Sequence, residues 1–268
     1  MESDEETLRL DLKTNGMIVE KQALWAGIKP NMRVADLGFG SGITTFYLHK
    51  LVQPNGKVVG VDFAEERIKY AKKHYDRKGI KYICRDICEP LEDLGMFDFI
   101  WVRFVLEYHR SMSFDIVKNI TRILKPGGII CLIDLDYNCL RHFGLSDRLN
   151  RAVCGIMKDL EKNADFDPYV GIKLYSFLFD LGYQDIDISL SPHHLIFGKA
   201  RDVDTFNWTK KVEVAAKKSG YPFEEYKGGY EEFYKEFKEF FSDPRRFTYT
   251  PIISCRGRKP LNKSHLSR

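Results

Sequence analysis

Val34-Ala-Asp-Leu-Gly-Phe-Gly-Ser-Gly42 is the stretch that decides the fold. An apolar run from Met32 to Leu37 reads as a buried strand, and three glycines at 38, 40 and 42 follow it directly. Glycine permits the sharp turn from strand into helix and lets the backbone approach a ligand, while the first N–H groups of the helix point into the same crevice. After the turn, Ile43, Phe46, Tyr47 and Leu51 fall on one helical face. A ligand at the carboxyl end of a strand in an α/β sheet is the expected consequence.

Working outward, apolar runs recur at Lys57 to Asp62, Ile80 to Arg85, Phe97 to Val102 and Gly128 to Asp134. Segments of helical period separate them: Ala64, Ile68, Ala71 and Tyr75 step by four, three and four, and Ile116, Ile120, Ile123 and Leu124 repeat the pattern. Alternation of this kind predicts a parallel sheet built from βα units. Lys125-Pro-Gly-Gly128 should force a turn before the fifth strand, because proline cannot continue a helix. Beyond residue 136 the texture changes. Leu145, Leu149, Val153, Ile156 and Leu160 mark one helix and Gly171 to Leu181 another; Asp185 to Leu190 reads as a strand that can extend to Phe197. Residues 201–242 read as two helices, and Phe247 to Cys255 as a closing strand.

The glycine spacing is GxGxG, since Ile43 stands where a dinucleotide-binding turn would carry its last glycine. Asp36, two residues before Gly38, would repel a pyrophosphate but attract a ligand bearing an ammonium and a sulfonium. Asp62, at the end of the second strand, suits the hydroxyls of a ribose, a need common to several nucleotide cofactors.

With these residues the chain resembles the class I, Rossmann-like methyltransferases that use S-adenosylmethionine, over roughly residues 30–136. Asp36-Leu-Gly-Phe-Gly-Ser-Gly42 is similar to that family's first motif, Val61-Asp62-Phe63 to its second and Cys84-Arg-Asp-Ile-Cys88 to its third. Phe97 to Tyr108 looks like the fourth, and Leu124-Lys-Pro-Gly-Gly128 like the turn before the fifth strand. The resemblance implies a seven-strand, mostly parallel sheet whose last strand is antiparallel, in a single domain over 1–268, with helical acceptor-side insertions at about 137–182 and 201–242. It implies Asp86 and Ile87 at the adenine ring, and a cofactor set of Asp36, Gly38, Phe39, Gly40, Gly42, Asp62, Phe63, Asp86, Ile87 and Arg103. The family often has Cys or Ala at the position of Phe39, whose ring must lie beside the cofactor or under the helix. Phe63 can stack on adenine or cap the core.

Methyl transfer from a sulfonium needs an acceptor held in line more than it needs a nucleophile. Asp134 and Asp136, at the end of the fifth strand, are the candidate acceptor-site residues; hydrogen bonds to the following loop explain them equally well. Arg103 can approach the cofactor or an acidic acceptor, or pair with Glu107 four residues on. Asp134-x-Asp136-x-Asn138 fails as a calcium loop, because Cys139 and Leu145 replace the required Gly and Glu. His142, His193 and His194 read as surface or strand-end histidines, so no metal is expected. The stripe Tyr230, Phe233, Tyr234, Phe237, Phe240 and Phe241 reads as a buried helix face or as a hydrophobic lid over the acceptor.

Composition narrows the setting. No apolar run approaches the roughly 18 residues of a membrane span. The acidic start Met1 to Thr7 lacks the features of a secretory signal, and six cysteines without CxxC spacing point to reduced thiols, so a cytoplasmic location is expected. A net charge of +4 and a basic tail at 256–268, read as solvated, argue for a small-molecule acceptor over nucleic acid. So does Val102-Arg-Phe-Val, which stands where base methyltransferases carry a Pro-Pro-aromatic motif. Two other readings compete: a nicotinamide-dependent oxidoreductase, and a non-catalytic S-adenosylmethionine-binding regulator.

Overall fold

A computed structural model describes residue 11 and residues 14–261; the acidic start and the tail from 262 lie outside the described residues. Five parallel strands form the frame: β1 (Arg33–Leu37), β2 (Lys57–Asp62), β3 (Ile80–Cys84), β4 (Phe97–Arg103) and β5 (Leu124–Leu135). Two long strands follow, β7 (Gln184–Phe197) and β8 (Phe247–Arg258), with β8 antiparallel to both β5 and β7. An eighth strand corrects the expected count of seven. His142–Phe143 forms the two-residue β6, because β8 starts well beyond the end of β5 and leaves an edge for the returning chain to pair with. The sheet order is β3-β2-β1-β4-β5-β8-β6, with β7 on the other side of β8.

Helices cover both faces. On one side lie α1 (Gly16–Ala26) and α2 (Ile43–Leu51), which enclose Val34, Val58, Phe99, Trp101 and Ile133 with Val19, Ala23 and Leu48. On the other lie α4 (Ser113–Arg122) and α6 (Leu174–Asp180), whose Ile116, Val117, Ile120, Leu174 and Leu178 bury Ile100, Val102, Ile130 and Cys255. Beside α2, over β2 and β3, lies α3 (Glu65–Tyr75), seated by Ile68 and Ala71 as the spacing predicts. The remaining helices, α5 (Asp147–Asn163), α7 (Asp202–Ser219) and α8 (Gly229–Ser242), make a core of their own. Phe233, Phe237, Phe240 and Phe241 are buried there against Trp208, Leu149 and Ile156, so the aromatic stripe is a packed helix face.

Three local expectations change. In α2 the buried residues are Thr44, Thr45, Leu48 and His49, while Ile43, Phe46, Tyr47 and Leu51 are only half-buried. A hydrogen bond from Thr45 to Asp36 turns that side of the helix onto the sheet. Lys125-Pro-Gly-Gly128 is not a free turn but an irregular part of β5, where Phe97 pairs Leu124 and Phe99 pairs Ile129. Gly127 there takes φ +75° and donates its N–H to the Lys259 carbonyl. The basic tail, finally, begins inside β8, which runs through Arg258.

Gly42 shows how tightly the glycine turn is built: its φ is +93°, and a Cβ there would lie 2.6 Å from the Ala71 Cβ. Gly42→Ala should destabilise the fold by at least about 2 kcal/mol, combining left-handed strain with overpacking. Gly198→Ala, at φ +65° with open space around it, should cost about 1 kcal/mol. Urea unfolding of the two variants gives the comparison, and equal losses would contradict this account of the turn.

Candidate functional site

The carboxyl ends of β1, β2, β4 and β5 converge on a set of buried charges. Asp36, at the penultimate position of β1, is almost fully enclosed and accepts a 2.7 Å hydrogen bond from Thr45 Oγ1. Burial pushes its carboxyl up to about 7, the nearby Asp62 charge adds to the rise, and Thr45 and Arg103 oppose it. Arg103, the last residue of β4, faces Asp36 and Asp134 and stacks on the Phe104 ring at 4.1 Å. Its desolvation brings the guanidinium down to about 10, and its Nε has no hydrogen-bond partner. A cation and a carboxylate thus sit side by side, the cation with one N–H unpartnered.

Asp62, at the end of β2, organises the turn opposite. Its Oδ2 accepts from the Gly40 N–H at 3.0 Å and its Oδ1 from the Ala64 N–H at 3.1 Å. Arg67, one turn into α3, reaches both oxygens at 3.3 Å, a partner the sequence reading did not identify. The acidic N-terminal turn of α3 hides that arginine among exposed charges in the sequence. Gly38 and Gly40 take φ values of +75° and +64°, and a Cβ on Gly38 would lie 2.3 Å from Val105. The turn is therefore clamped from β2 and closed against the loop after β4.

Phe39 does not face the crevice. Its buried ring packs on Tyr82 with centroids 5.0 Å apart, beside Ile68 and Ala71. Phe63 is exposed, with the Arg67 guanidinium 5.7 Å from its ring centre, so it does not cap the core. Asp86 is exposed and caps its own loop by accepting from the Cys88 N–H, while Ile87 is buried in the main core.

Asp134 and Asp136 have different surroundings. Asp134 accepts from the Leu135 and Glu107 N–H groups, and its carboxyl is held well above the usual range by burial and by Glu107. Two carboxyls buried together favour keeping one proton between them. Asp136 is also raised by burial, with Arg141 and Asp167 acting on it, and its Oδ1 lacks a partner. From Glu107 the polar chain continues: Asn138 Nδ2 donates to Glu107 Oε2 at 2.7 Å, and Lys211 Nζ of α7 donates to Asn138 Oδ1 at 2.6 Å. Sequence reasoning missed Glu107 and Asn138 as members of this cluster, because only the fold brings α7 over the β5 loop.

The expectation of surface or strand-end histidines needs correction at His142. It lies at a strand end, but it is enclosed: Thr248 Oγ1 and the Cys139 carbonyl flank its ring nitrogens, Trp208 and Phe240 pack on it edgewise, and burial brings its pKa down to about 4. Among the described residues no cluster of three or more His, Cys, Asp or Glu could hold a metal ion, and all six cysteines are free. No helix among them is long and apolar enough to cross a membrane.

A parallel sheet in this order, with a glycine turn after β1 and carboxylates at the ends of β1 and β2, defines a Rossmann-like nucleotide-binding fold of the methyltransferase type. Residues 35–132 match the family model described as methyltransferase domain. The chain is 31% identical over 139 residues to demethylmenaquinone methyltransferase of Lactococcus lactis subsp. lactis (strain IL1403), covering 48% of this chain and 55% of that one. The protein of the same name from Staphylococcus aureus (strain JH9) is 31% identical over 136 residues. The chain thus spans about half the length (55%) of the curated relatives it matches. Among solved structures, phosphoethanolamine N-methyltransferase 2 of Haemonchus contortus, in complex with S-adenosylmethionine, has a TM-score of 0.55 at 15% identity, covering 91% of this chain and 52% of that one. The cyclase SpnF also has a TM-score of 0.55, at 13% identity, covering 92% and 81%.

The raised carboxyl of Asp36 has a measurable sign. A native pKa near 7, well above that of an ordinary carboxylate, means that the folded state holds the proton longer, so stability falls as pH rises from about 4 to 7 and is level beyond. Asp36→Asn keeps an acceptor for Thr45 and removes the titration. Against wild type it should be equal at pH 4 and more stable by at least about 1 kcal/mol at pH 8. Urea unfolding across that range tests this, and a difference independent of pH would refute it.

Proposed function

We propose that the protein transfers a methyl group from S-adenosylmethionine to a small-molecule acceptor by in-line displacement. The observation that carries this reading is the pair Asp36 and Arg103: an enclosed carboxylate beside an enclosed guanidinium whose Nε has no partner. An α-amino acid zwitterion is complementary to such a pair, with its ammonium to Asp36 and its carboxylate to Arg103. The nicotinamide dinucleotides have no such group, and a pyrophosphate would meet Asp36 at the mouth of the turn. The charges therefore favour the methionyl end of S-adenosylmethionine over the rival cofactor.

Asp62 is the group for the ribose hydroxyls, which would take over the places that Arg67 holds on its two oxygens. Asp86 and Ile87, with the exposed face of Phe63, form the adenine end. Gly38, Gly40 and Gly42 keep the turn free of side chains, and Phe39 supports it from below through Tyr82. When bound, the cofactor supplies a methyl group already activated as part of a sulfonium. The chain's own task is to exclude water and orient the acceptor.

Residues 137–182 and 201–242 form the acceptor side. The second insertion reaches the crevice through Lys211, Asn138 and Glu107. Asp134 with Glu107 is the site that can take a proton from an acceptor hydroxyl or carbon acid, while Asp136 borders the loop that follows. The curated relatives carry the name demethylmenaquinone methyltransferase, which supports a small-molecule acceptor in place of nucleic acid. Six free cysteines fit a reducing, cytoplasmic setting.

Calorimetry with two ligands separates the parts of this site. Arg103→Met should weaken S-adenosylhomocysteine about tenfold to 150-fold, the value of a lost hydrogen bond to a charged group, and leave adenosine binding within about threefold. Asp62→Ala should weaken both ligands by a similar factor. Equal loss of both ligands in Arg103→Met would remove its assignment to the amino-acid end, and stabilisation by NAD(P) with none by S-adenosylhomocysteine would overturn the function itself.

A further inference from the structure

The far side of the sheet carries an apolar surface that the methyl-transfer site does not use. Phe143 of β6, Phe247 of β8 and Phe197 of β7 pair in register across three adjacent strands, so their rings form one row on one face. Two residues further along β8, Tyr249 pairs with Leu195; beyond the β-bulge at Pro192/His194, Ile253 pairs with Leu190 and Cys255 with Ile188. All of these positions share the face on which α6 packs over Cys255. α6 stops short of the Phe row, and the opposite face there is closed by the helical layer, where Ile196 and His142 lie under Trp208 and Phe240. Phe143, Phe197, Phe247, Leu190, Leu195 and Ile188 are each between 44 and 73% exposed.

We propose that this face joins two copies of the chain by face-to-face packing about a two-fold axis. Two observations select a second copy. The six side chains expose on the order of 700 Å² of apolar area, close to the roughly 800 Å² that each partner contributes to a standard interface and above the largest patch usual on a monomer. The row is self-complementary: Phe197 and Phe247 already stack at 6.3 Å with planes 12° apart, leaving flat ring surfaces for an equivalent row to cover. A two-fold axis through this row lays Phe143, Phe197 and Phe247 of one copy over the same residues of the other.

Edge-to-edge pairing through β7 is the poorer alternative. Pro192 has no N–H to donate, and the bulge beside it interrupts the regular edge. Two sheets stacked about 10 Å apart by their side chains avoid that obstacle. The interface lies on the α6 side of β7 and β8, away from the glycine turn and Arg103, so both crevices stay open.

Sedimentation equilibrium of the full chain from about 1 to 100 µM provides the test. The expected result is a species of twice the 31.3 kDa of one chain, with Phe143→Asp/Phe197→Asp at least about 100-fold weaker in self-association. Leu24→Glu, on the exposed side of α1, should remain a dimer. Unchanged circular dichroism of the double variant shows that it still folds. A wild-type monomer at 100 µM overturns the proposal, as does a dimer that the double variant preserves. Wild-type chain that stays monomeric but sediments with phosphatidylglycerol vesicles, with the double variant left in solution, assigns the face to a lipid surface and overturns the proposal equally. None of these readings depends on which cofactor or acceptor the crevice takes.

Discussion

A carboxylate buried at the end of β1 is the constraint around which the site is arranged. Moving an ionised carboxylate out of water costs several kcal/mol even after the protein relaxes, so Asp36 needs compensation from every side. Thr45 supplies one hydrogen bond and thereby fixes which side of α2 meets the sheet. Arg103 supplies an opposite charge without closing a salt bridge through its Nε, and Asp134 balances Arg103 from β5. Asp134 in turn accepts from the backbone of Glu107, whose carboxylate is bonded to Asn138, and Asn138 to Lys211 of α7. The helical layer and the nucleotide turn are thus parts of one polar chain. Within it the Arg103 Nε is left without a partner, an arrangement that suits preorganised charge.

The strands and the turn were legible because they depend on local chemistry: apolar runs of strand length, glycines where φ must be positive, and a carboxylate at each strand end. What escaped was decided by distant partners. Periodicity alone placed Ile43, Phe46, Tyr47 and Leu51 inward on α2, but one hydroxyl bonded to Asp36 outweighs a weak apolar face and buries Thr44 and Thr45 instead. Strand β6 is two residues long and pairs with a segment more than a hundred positions away. His142 lies at a strand end, one of the two expected places, but nothing near it in sequence shows that Trp208 and Phe240 will enclose it. Arg67 was lost for a different reason: a solvated helix charge and a carboxylate ligand look alike until the geometry is known.

The fold alone leaves the chemistry undecided. A cyclase and a methyltransferase both share this architecture with the chain at similar TM-scores and low identity. What the sheet provides is a place, at the carboxyl ends of its strands, where several side chains from different strands converge. The residues in that place separate the possibilities. Asp62 answers a ribose, which many cofactors carry, and the glycines answer any ligand that needs close backbone approach. In the reading proposed above, only the juxtaposition of Asp36 and Arg103 would answer an amino-acid zwitterion, and neither residue would do so by itself.

The two insertions complete the asymmetry of the molecule. Both return towards the carboxyl ends of β4 and β5: Asp167 donates its N–H to the Glu107 carbonyl, Asn138 its N–H to the Pro168 carbonyl, and Lys211 caps Asn138. These backbone bonds fix the first insertion against the ends of β4 and β5, whereas α7 and α8 meet it mainly through side chains over their own aromatic core. The layer is also tied to the sheet by apolar contacts: Trp208 and Phe240 pack on His142, and Ile196 of β7 belongs to the same core. One face of β7 and β8 is therefore closed beneath the layer, and the exposed phenylalanine row lies on the opposite one, so the two faces of the same strands answer different partners.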